Sequence, residues 1–161
     1  MLSSLGLLTF KTILDKILVT LDPTARSVSV DMLIAFDTEQ QLDFTAADEL
    51  PSRERSQVRE YVQSVLRRRS YLDFLVGEFS SISMEDMTAP LKNILRLSFY
   101  EMLYMEHIPD YATINEAVEI AKATLGSKTG DLVNAMLRHL QRDMATLPKP
   151  AFADRKKLIA V

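Results

Sequence analysis

A chain of 161 residues is long enough to bury one hydrophobic core, and this one contains no cysteine. The missing thiols exclude a disulfide framework, a thiolate nucleophile and a cysteine-based zinc or iron–sulfur site, and they are compatible with a cytoplasmic protein. Four glycines and six prolines are few for strands separated by turns, so the composition favours an all-α domain. The formal net charge of −3 argues against general coating of nucleic acid, so any such site must be a local basic patch.

Residues 1–22 are interpreted as an extra amphipathic helix ahead of the main domain. Apolar residues recur at helical spacing between residues 5 and 21, while Lys11, Asp15 and Lys16 interrupt the run. These charges and the lack of a basic leader argue against a signal peptide or a membrane span, although a membrane-surface helix is a less favoured alternative. Asp22-Pro23 ends this helix, and a second helix is predicted over residues 25–36.

The middle of the chain is predicted to hold a loop and two helices that meet at an arginine-rich hinge. Residues 38–51 show neither helical nor strand periodicity, which indicates a connection with a short helix. Ser52 stands where it can cap a helix that runs to about residue 66. A second apolar stretch over residues 71–79 makes a kinked or broken helix pair, and its hinge, Arg67-Arg68-Arg69, is expected to be exposed.

The next helix is predicted to occupy the centre of a helical bundle. Ser83 and Asp86 form a weak capping pattern, and Pro90 fits the first turn of a helix. Apolar residues between positions 94 and 105 then cover most of the helix circumference, which is typical of a helix surrounded by others. Pro109 ends this helix.

A closing helical hairpin is predicted from capping residues and a glycine. Thr113 and Glu116 have the spacing of a capping box at the start of its first helix. Gly126 stands where the chain needs a left-handed stop, and Thr129 can cap the last helix. Residues 148–161 follow as a loose basic tail or linker.

The sequence offers no constellation of residues suited to catalysis. His107 and His139 are far apart in the chain and are interpreted as structural or surface imidazoles. No metal-ligand spacing accompanies them, and the four glycines stand singly rather than in a phosphate-binding loop. We therefore expect no catalytic residue, no metal and no cofactor in this chain by itself.

Basic side chains concentrate in two sets, and each set has a solvated surface as its alternative interpretation. The three hinge arginines cannot share one helix face, so one can reach a phosphate while another pairs with a neighbouring carboxylate. The second set surrounds the closing hairpin, where Arg138 and Arg142 lie one turn apart on the same face. Its members are Lys122, Lys128, Arg138 and Arg142.

Four segments, in order along the chain, resemble NusB-like domains. They are residues 94–104, 108–109, 114–122 and 133–138, and a weaker similarity extends from about residue 24 to residue 142. NusB-like domains occur as free transcription antitermination factors and at the N-terminus of Sun (RsmB-type) ribosomal RNA cytosine methyltransferases. The resemblance implies an all-α NusB-like fold over residues 23–147, with about seven helices in two packed bundles and no catalysis of its own.

Details of the last helix favour the methyltransferase-attached branch. Free factors usually have a glycine after its asparagine and an acidic residue after its leucine, whereas Ala135 follows Asn134 and Arg138 follows Leu137 here. In that branch a C-terminal methyltransferase domain would follow, using S-adenosylmethionine and cysteine. The resemblance then implies a noncatalytic domain that binds ribosomal RNA for the catalytic one.

Two alternatives accompany this interpretation. A free antitermination factor would bind leader RNA together with the ribosomal protein NusE, although the arginine-rich start of free factors is reduced here to Arg26. A protein-interaction adaptor would instead use the extra N-terminal helix, residues 5–21, for a homodimer or another partner. The residues expected to contact RNA are Arg26, Arg67, Arg68, Arg69, Lys122, Lys128, Arg138 and Arg142.

Overall fold

Six α-helices and two 3-10 turns make up residues 23–147, the part of the chain that the computed structural model describes. The predicted helix at residues 1–22 and the predicted tail at residues 148–161 lie outside the described residues. No strand occurs between residues 23 and 147, which confirms the all-α prediction. The helices are α1 (Ala25–Glu39), α2 (Ser52–Arg67), α3 (Arg69–Phe79), α4 (Ala89–Tyr104), α5 (Asp110–Leu125) and α6 (Ser127–Asp143), and the 3-10 turns are Phe44–Ala47 and Met84–Asp86.

Helix α4 forms the centre of the domain and contacts each of the other five helices. Every residue from Asn93 to Met102 is buried, as predicted for a helix that is apolar almost all round. Helices α1 and α2 pack together on α4 as one group, and α5 and α6 form the other group with α3 beside α6. The central helix thus joins two packed groups, so positions on α1, α2, α5 and α6 that face away from α4 are available for binding.

The N-termini of α1 and α4 are fixed by threonine caps. The Thr24 hydroxyl accepts a hydrogen bond from the Ser27 backbone N–H at 3.1 Å, and the Thr24 N–H donates to the Ser27 hydroxyl at 2.9 Å. At α4, Thr88 accepts from the backbone of Leu91, and Pro90 lies in the first turn as predicted. Each cap satisfies backbone donors that the first helical turn leaves unpaired.

Two predicted caps are wrong, because a proline or glycine takes the position before them. Pro51 precedes the first residue of α2, so Ser52 is helical and caps nothing. Gly126 precedes α6, and Thr129 lies inside its first turn. Pro51 holds a φ of −54°, and its carbonyl accepts the first backbone hydrogen bond of the helix from the Arg55 N–H at 3.0 Å.

Gly126 makes a sharp connection between α5 and α6, with φ 99° and ψ 170°. The positive φ agrees with the predicted left-handed stop, but ψ places Gly126 outside the left-handed helical region, in a conformation essentially restricted to glycine. We expect Gly126→Ala to lower the free energy of unfolding by about 1–3 kcal/mol. Backbone strain is the cause, because no atom lies within 4 Å of an added Cβ.

Gly77 provides the matched control for this substitution. It lies within α3, lacks a positive φ and also has no atom within 4 Å of an added Cβ. Gly77→Ala is therefore expected to raise the free energy of unfolding by about 1 kcal/mol. Denaturant unfolding of both variants measures the difference, and shifts of the same sign would contradict the assignment of strain to Gly126.

Candidate nucleic-acid interface

The arginine hinge joins α2 to α3, and its central residue packs back onto α4. The Arg68 guanidinium carbon lies 4.7 Å from the centre of the Tyr104 ring and 5.6 Å from that of Tyr100. The two rings stack with their centres 5.5 Å apart, so both present π faces to the cation. Arg68 is half-buried, whereas Arg67 is exposed. The expectation of an exposed hinge is right for Arg67 and wrong for Arg68, because the tyrosines of α4 cover the latter.

Arg69 connects the hinge to an ionic network on the central helix. It pairs with Asp37 of α1 at 3.0 Å, and Asp37 also pairs with Arg96 of α4 at 3.1 Å. Arg96 donates two further hydrogen bonds to Asp73 of α3, at 2.6 and 3.0 Å. Burial alone would lower the pKa of Arg96, but Asp73 and Asp37 outweigh it and raise that pKa. The prediction that one hinge arginine pairs with a carboxylate is confirmed, and Arg69 is only half-buried rather than fully exposed.

Arg26 is buried at the start of α1, with 7% of its surface exposed. Its Nε donates to a carboxylate oxygen of Glu101 at 2.7 Å, and its other nitrogens pair with Glu101 and with Glu116 of α5. The guanidinium is therefore turned toward α4 and α5. This burial is at odds with the expectation that Arg26 contacts RNA, because a buried guanidinium cannot reach a phosphate on the surface.

The predicted capping box of Thr113 and Glu116 is wrong, because Thr113 bonds to Glu101 and Glu116 pairs with Arg26 instead. Pro109 takes the cap position, and α5 begins at Asp110, so Thr113 lies within the helix. The buried Thr113 hydroxyl donates to Glu101 at 2.7 Å. Proline favours the first turn of a helix, and it moves the start of α5 before the position that the threonine would cap.

Helix α6 carries an exposed row of basic side chains, which we call the α6 basic stripe: Lys128, Arg138 and Arg142. With 3.6 residues per turn, the three positions fall within about a quarter of the helix circumference and extend about 21 Å along its axis. Asp131 is an acidic neighbour on the same side. None of the three cations pairs with a carboxylate of residues 23–147. The stripe is thus free to meet anions from solution.

Lys122 joins the same hairpin through a close approach of α5 to α6. A Cβ atom on Gly130 would lie 2.4 Å from the Lys122 Cγ, so the lysine stem occupies the space that this glycine leaves. The exposed Lys122 ammonium lies 3.8 Å from Glu119, one turn earlier in α5. The structure therefore places all four predicted basic residues of the closing hairpin on one helix pair.

The hinge and the hairpin set lie on different helices. The hinge residues contact α1 and α4, whereas the hairpin set lies on α5 and α6.

Helix α2 carries a further pair of exposed arginines, Arg55 and Arg59, which the predicted RNA-binding residues do not include. Arg59 lies 4.6 Å above the Phe44 ring. The spacing of four residues was the sequence signal that could have identified this pair.

The histidine assigned to a structural or surface role packs at the edge of the core. His139 contacts the Phe79 ring with the centres 4.9 Å apart, and its Nε2 lies 3.1 Å from Asp143. Between residues 23 and 147, no group of three His, Asp or Glu residues is arranged to hold a metal ion. Every helix in this range is too short or too polar to cross a bilayer.

Comparison with known proteins connects this fold to one family. The NusB family model matches residues 23–142. The probable ribosomal RNA small subunit methyltransferase B of Bacillus subtilis is 32% identical over 127 residues, which cover 74% of this chain but only 28% of that protein. The transcription antitermination protein NusB of Dictyoglomus thermophilum is 32% identical over 119 residues, which cover 73% of this chain and 82% of that protein.

Solved structures agree with this relationship. Thermotoga maritima NusB aligns with a TM-score of 0.66 at 25% identity, over 74% of this chain and 89% of that one. A chain from the complex of antitermination factors NusB and NusE with double-stranded RNA aligns with a TM-score of 0.67 at 18% identity, over 73% and 93% of the two chains. The second likeness concerns the fold alone. With a family model that spans most of its length, the chain belongs to the NusB family.

Proposed function

We propose that the chain is a noncatalytic RNA-binding domain, most like the N-terminal domain of a Sun-type ribosomal RNA (cytosine-5) methyltransferase. The observation that carries the proposal is the α6 basic stripe. Its cations are exposed, and none of them pairs with a carboxylate of residues 23–147. Clustered Lys and Arg supply phosphate contacts without any catalytic group. The relative in Bacillus subtilis supports the methyltransferase branch. A cytoplasmic location is consistent with this proposed RNA-binding role.

The basic residues of the proposed interface fall into two groups, exposed cations and arginines that already contact other side chains. Lys122 and the α6 basic stripe make the primary phosphate contacts, and the exposed Arg67 makes a second contact at the hinge. Arg68, stacked on two tyrosines, and Arg69, paired with Asp37, position the hinge rather than reach the RNA. A structured RNA fits such an arrangement, because A-form helices are recognised mainly through shape, phosphates and 2′-hydroxyls.

Removing two cations of the α6 basic stripe is expected to weaken RNA binding and its dependence on salt. We expect Arg138→Gln combined with Arg142→Gln to reduce the slope of log K against log salt concentration by about 1.4–1.8, because each phosphate contact contributes about 0.7–0.9. Fluorescence anisotropy with a labelled ribosomal RNA fragment, at four or more salt concentrations, measures the slope. Denaturant unfolding of the double variant should match that of the original chain within about 0.5 kcal/mol.

A control with the same charge change distinguishes a local interface from net charge. Arg53 on α2 and Lys92 on α4 lie outside the proposed interface. Arg53→Gln combined with Lys92→Gln also removes two positive charges, and its slope should remain close to that of the original chain. Equal losses in both double variants, or a salt response that is flat in the original chain, would contradict the proposed site.

The second candidate is a free antitermination factor that binds leader RNA jointly with NusE. It is favoured by the Dictyoglomus thermophilum relative, whose own length is 82% covered by the match. NusE distinguishes the two candidates, because it should raise RNA affinity only for a factor that binds RNA as a heterodimer. An increase of about tenfold on addition of NusE, equal to about 1.4 kcal/mol, would support the second candidate.

A further inference from the structure

An apolar groove of about 450 Å³ runs between α3 and the end of α6. The side chain of Phe74 stands in its wall with 60% of its surface exposed. Such exposure is unusual for a large aromatic residue beside other apolar groups, and it is typical of a surface that another segment covers. The groove lining includes Phe74, Leu75, Glu78, Phe79, Asp143 and Leu147.

We propose that the C-terminal segment of the chain itself, residues 148–161, docks in this groove. Leu147 lines the groove, so the segment starts at the groove rather than reaching it from elsewhere. Phe152 is five residues further on and lies within about 18 Å of Leu147 in any conformation, because an extended chain advances at most about 3.6 Å per residue. The first large apolar side chain of the segment is therefore within reach of Phe74.

The composition of the segment matches the groove in apolar character and in charge. Its apolar residues Phe152, Leu158 and Ile159 are separated by the basic run at 155–157. The groove has an apolar floor with Glu78 and Asp143 at its margin, and Asp143 also pairs with His139. Apolar contact with flanking carboxylates suits a segment that alternates apolar and basic residues.

Two prolines support an extended docking mode. Pro148 and Pro150 fix φ at their own positions and disfavour helical geometry in the residues before them. The proline positions in the sequence therefore favour an extended backbone at the start of this segment. Because those backbone angles are restricted before docking, less conformational entropy is lost when the segment enters the groove.

The absence of native cysteine allows a disulfide test in the full-length chain. Glu78→Cys combined with Ala153→Cys places one thiol at the groove margin and one beside Phe152, and it leaves the apolar residues intact. With oxidised glutathione as the oxidant and dilute protein, we expect an intramolecular disulfide to form at least about tenfold faster than in a control pair, because effective concentration is higher for docked groups. The control is Glu60→Cys with Ala153→Cys, since Glu60 is an exposed glutamate of α2 outside the groove. Intact mass and non-reducing electrophoresis give the rates.

Three results would overturn the proposal. Equal rates for the two pairs would show that the segment does not occupy the groove. Disulfide-linked dimers as the main product at low concentration would assign the groove to a second copy of the chain. If Glu78→Cys with Leu7→Cys forms a disulfide faster than Glu78→Cys with Ala153→Cys, the groove is assigned to the N-terminal segment. Adding Phe152→Asp to the Glu78→Cys and Ala153→Cys pair should reduce its rate to that of the control, which tests the apolar contact without a change in the groove.

Discussion

Replacing Glu101 by leucine is expected to lower the free energy of unfolding by about 3–5 kcal/mol, because the buried Arg26 loses its buried carboxylate partner. Glu101 has no exposed surface, and it accepts hydrogen bonds from Arg26 and from the Thr113 hydroxyl. Glu116 would still pair with Arg26 but would compensate only in part, because its side chain is 49% exposed and its charge is screened by water. Denaturant unfolding followed by far-ultraviolet circular dichroism measures the loss.

The surroundings of the Arg26–Glu101 pair explain why Glu101→Leu should lower the free energy of unfolding by a large amount. Burial raises the pKa of the neighbouring Tyr61 phenol, and the Glu101 carboxylate raises it further. The phenol, the carboxylate and the guanidinium thus share a site with little water, where an unpaired charge is costly. Glu101→Gln should have a smaller effect than Glu101→Leu, because the amide oxygen still accepts a hydrogen bond.

The matched control removes both charges of the buried pair. Arg26→Met combined with Glu101→Leu leaves no unpaired ion in the interior, so most of the loss in the single variant should be recovered. If the double variant loses the sum of the two single effects, the pair is not coupled and the explanation is wrong. Its RNA salt dependence should equal that of the original chain, since Arg26 lies inside the domain. The variant of Arg138 and Arg142 should show the opposite pattern, with weaker RNA binding and unchanged stability.

Local sequence patterns were sufficient for the helices and for the exposed face of α6. Helix α1 extends three residues beyond its predicted end, and α4 is buried on all sides over residues 93–102, as its apolar circumference indicated. Gly126 was identified because a positive φ has a residue-specific cost. Exposure of Arg138 and Arg142 follows from their position opposite the apolar face of the same helix.

Contacts between distant parts of the chain were beyond the reach of those patterns. Arg26 meets Glu101 across 75 positions, and Arg96 meets Asp37 across 59. A buried arginine and an exposed one look alike in sequence, because both stand among polar neighbours on an amphipathic helix. Thr113 similarly has the spacing of a cap, but a partner twelve residues earlier decides its role.

Arg96 is the other position where a large loss of stability is expected, because it connects three helices. From α4 it contacts Asp37 at the end of α1 and Asp73 on α3. We expect Arg96→Met to lower the free energy of unfolding by about 2–4 kcal/mol, somewhat less than for Glu101 because both carboxylates are partly exposed to water. Arg96→Lys should lose about half as much, since an ammonium keeps the charge but cannot make the paired hydrogen bonds to Asp73.

Arg67 of the hinge supplies the control for the stability loss expected in Arg96→Met. Arg67 is exposed and bonds only weakly to Ser64, at 3.4 Å, so Arg67→Met should change stability by less than about 0.5 kcal/mol. Hydrogen exchange of Arg96→Met should increase at the end of α1 and along α3, whereas α5 and α6 should keep their protection. A uniform increase over all helices would show that Arg96 supports the whole core rather than these two contacts. If the local pattern is found, Arg96→Met should reduce RNA binding through the displaced hinge while the contribution of the α6 basic stripe to the salt slope persists.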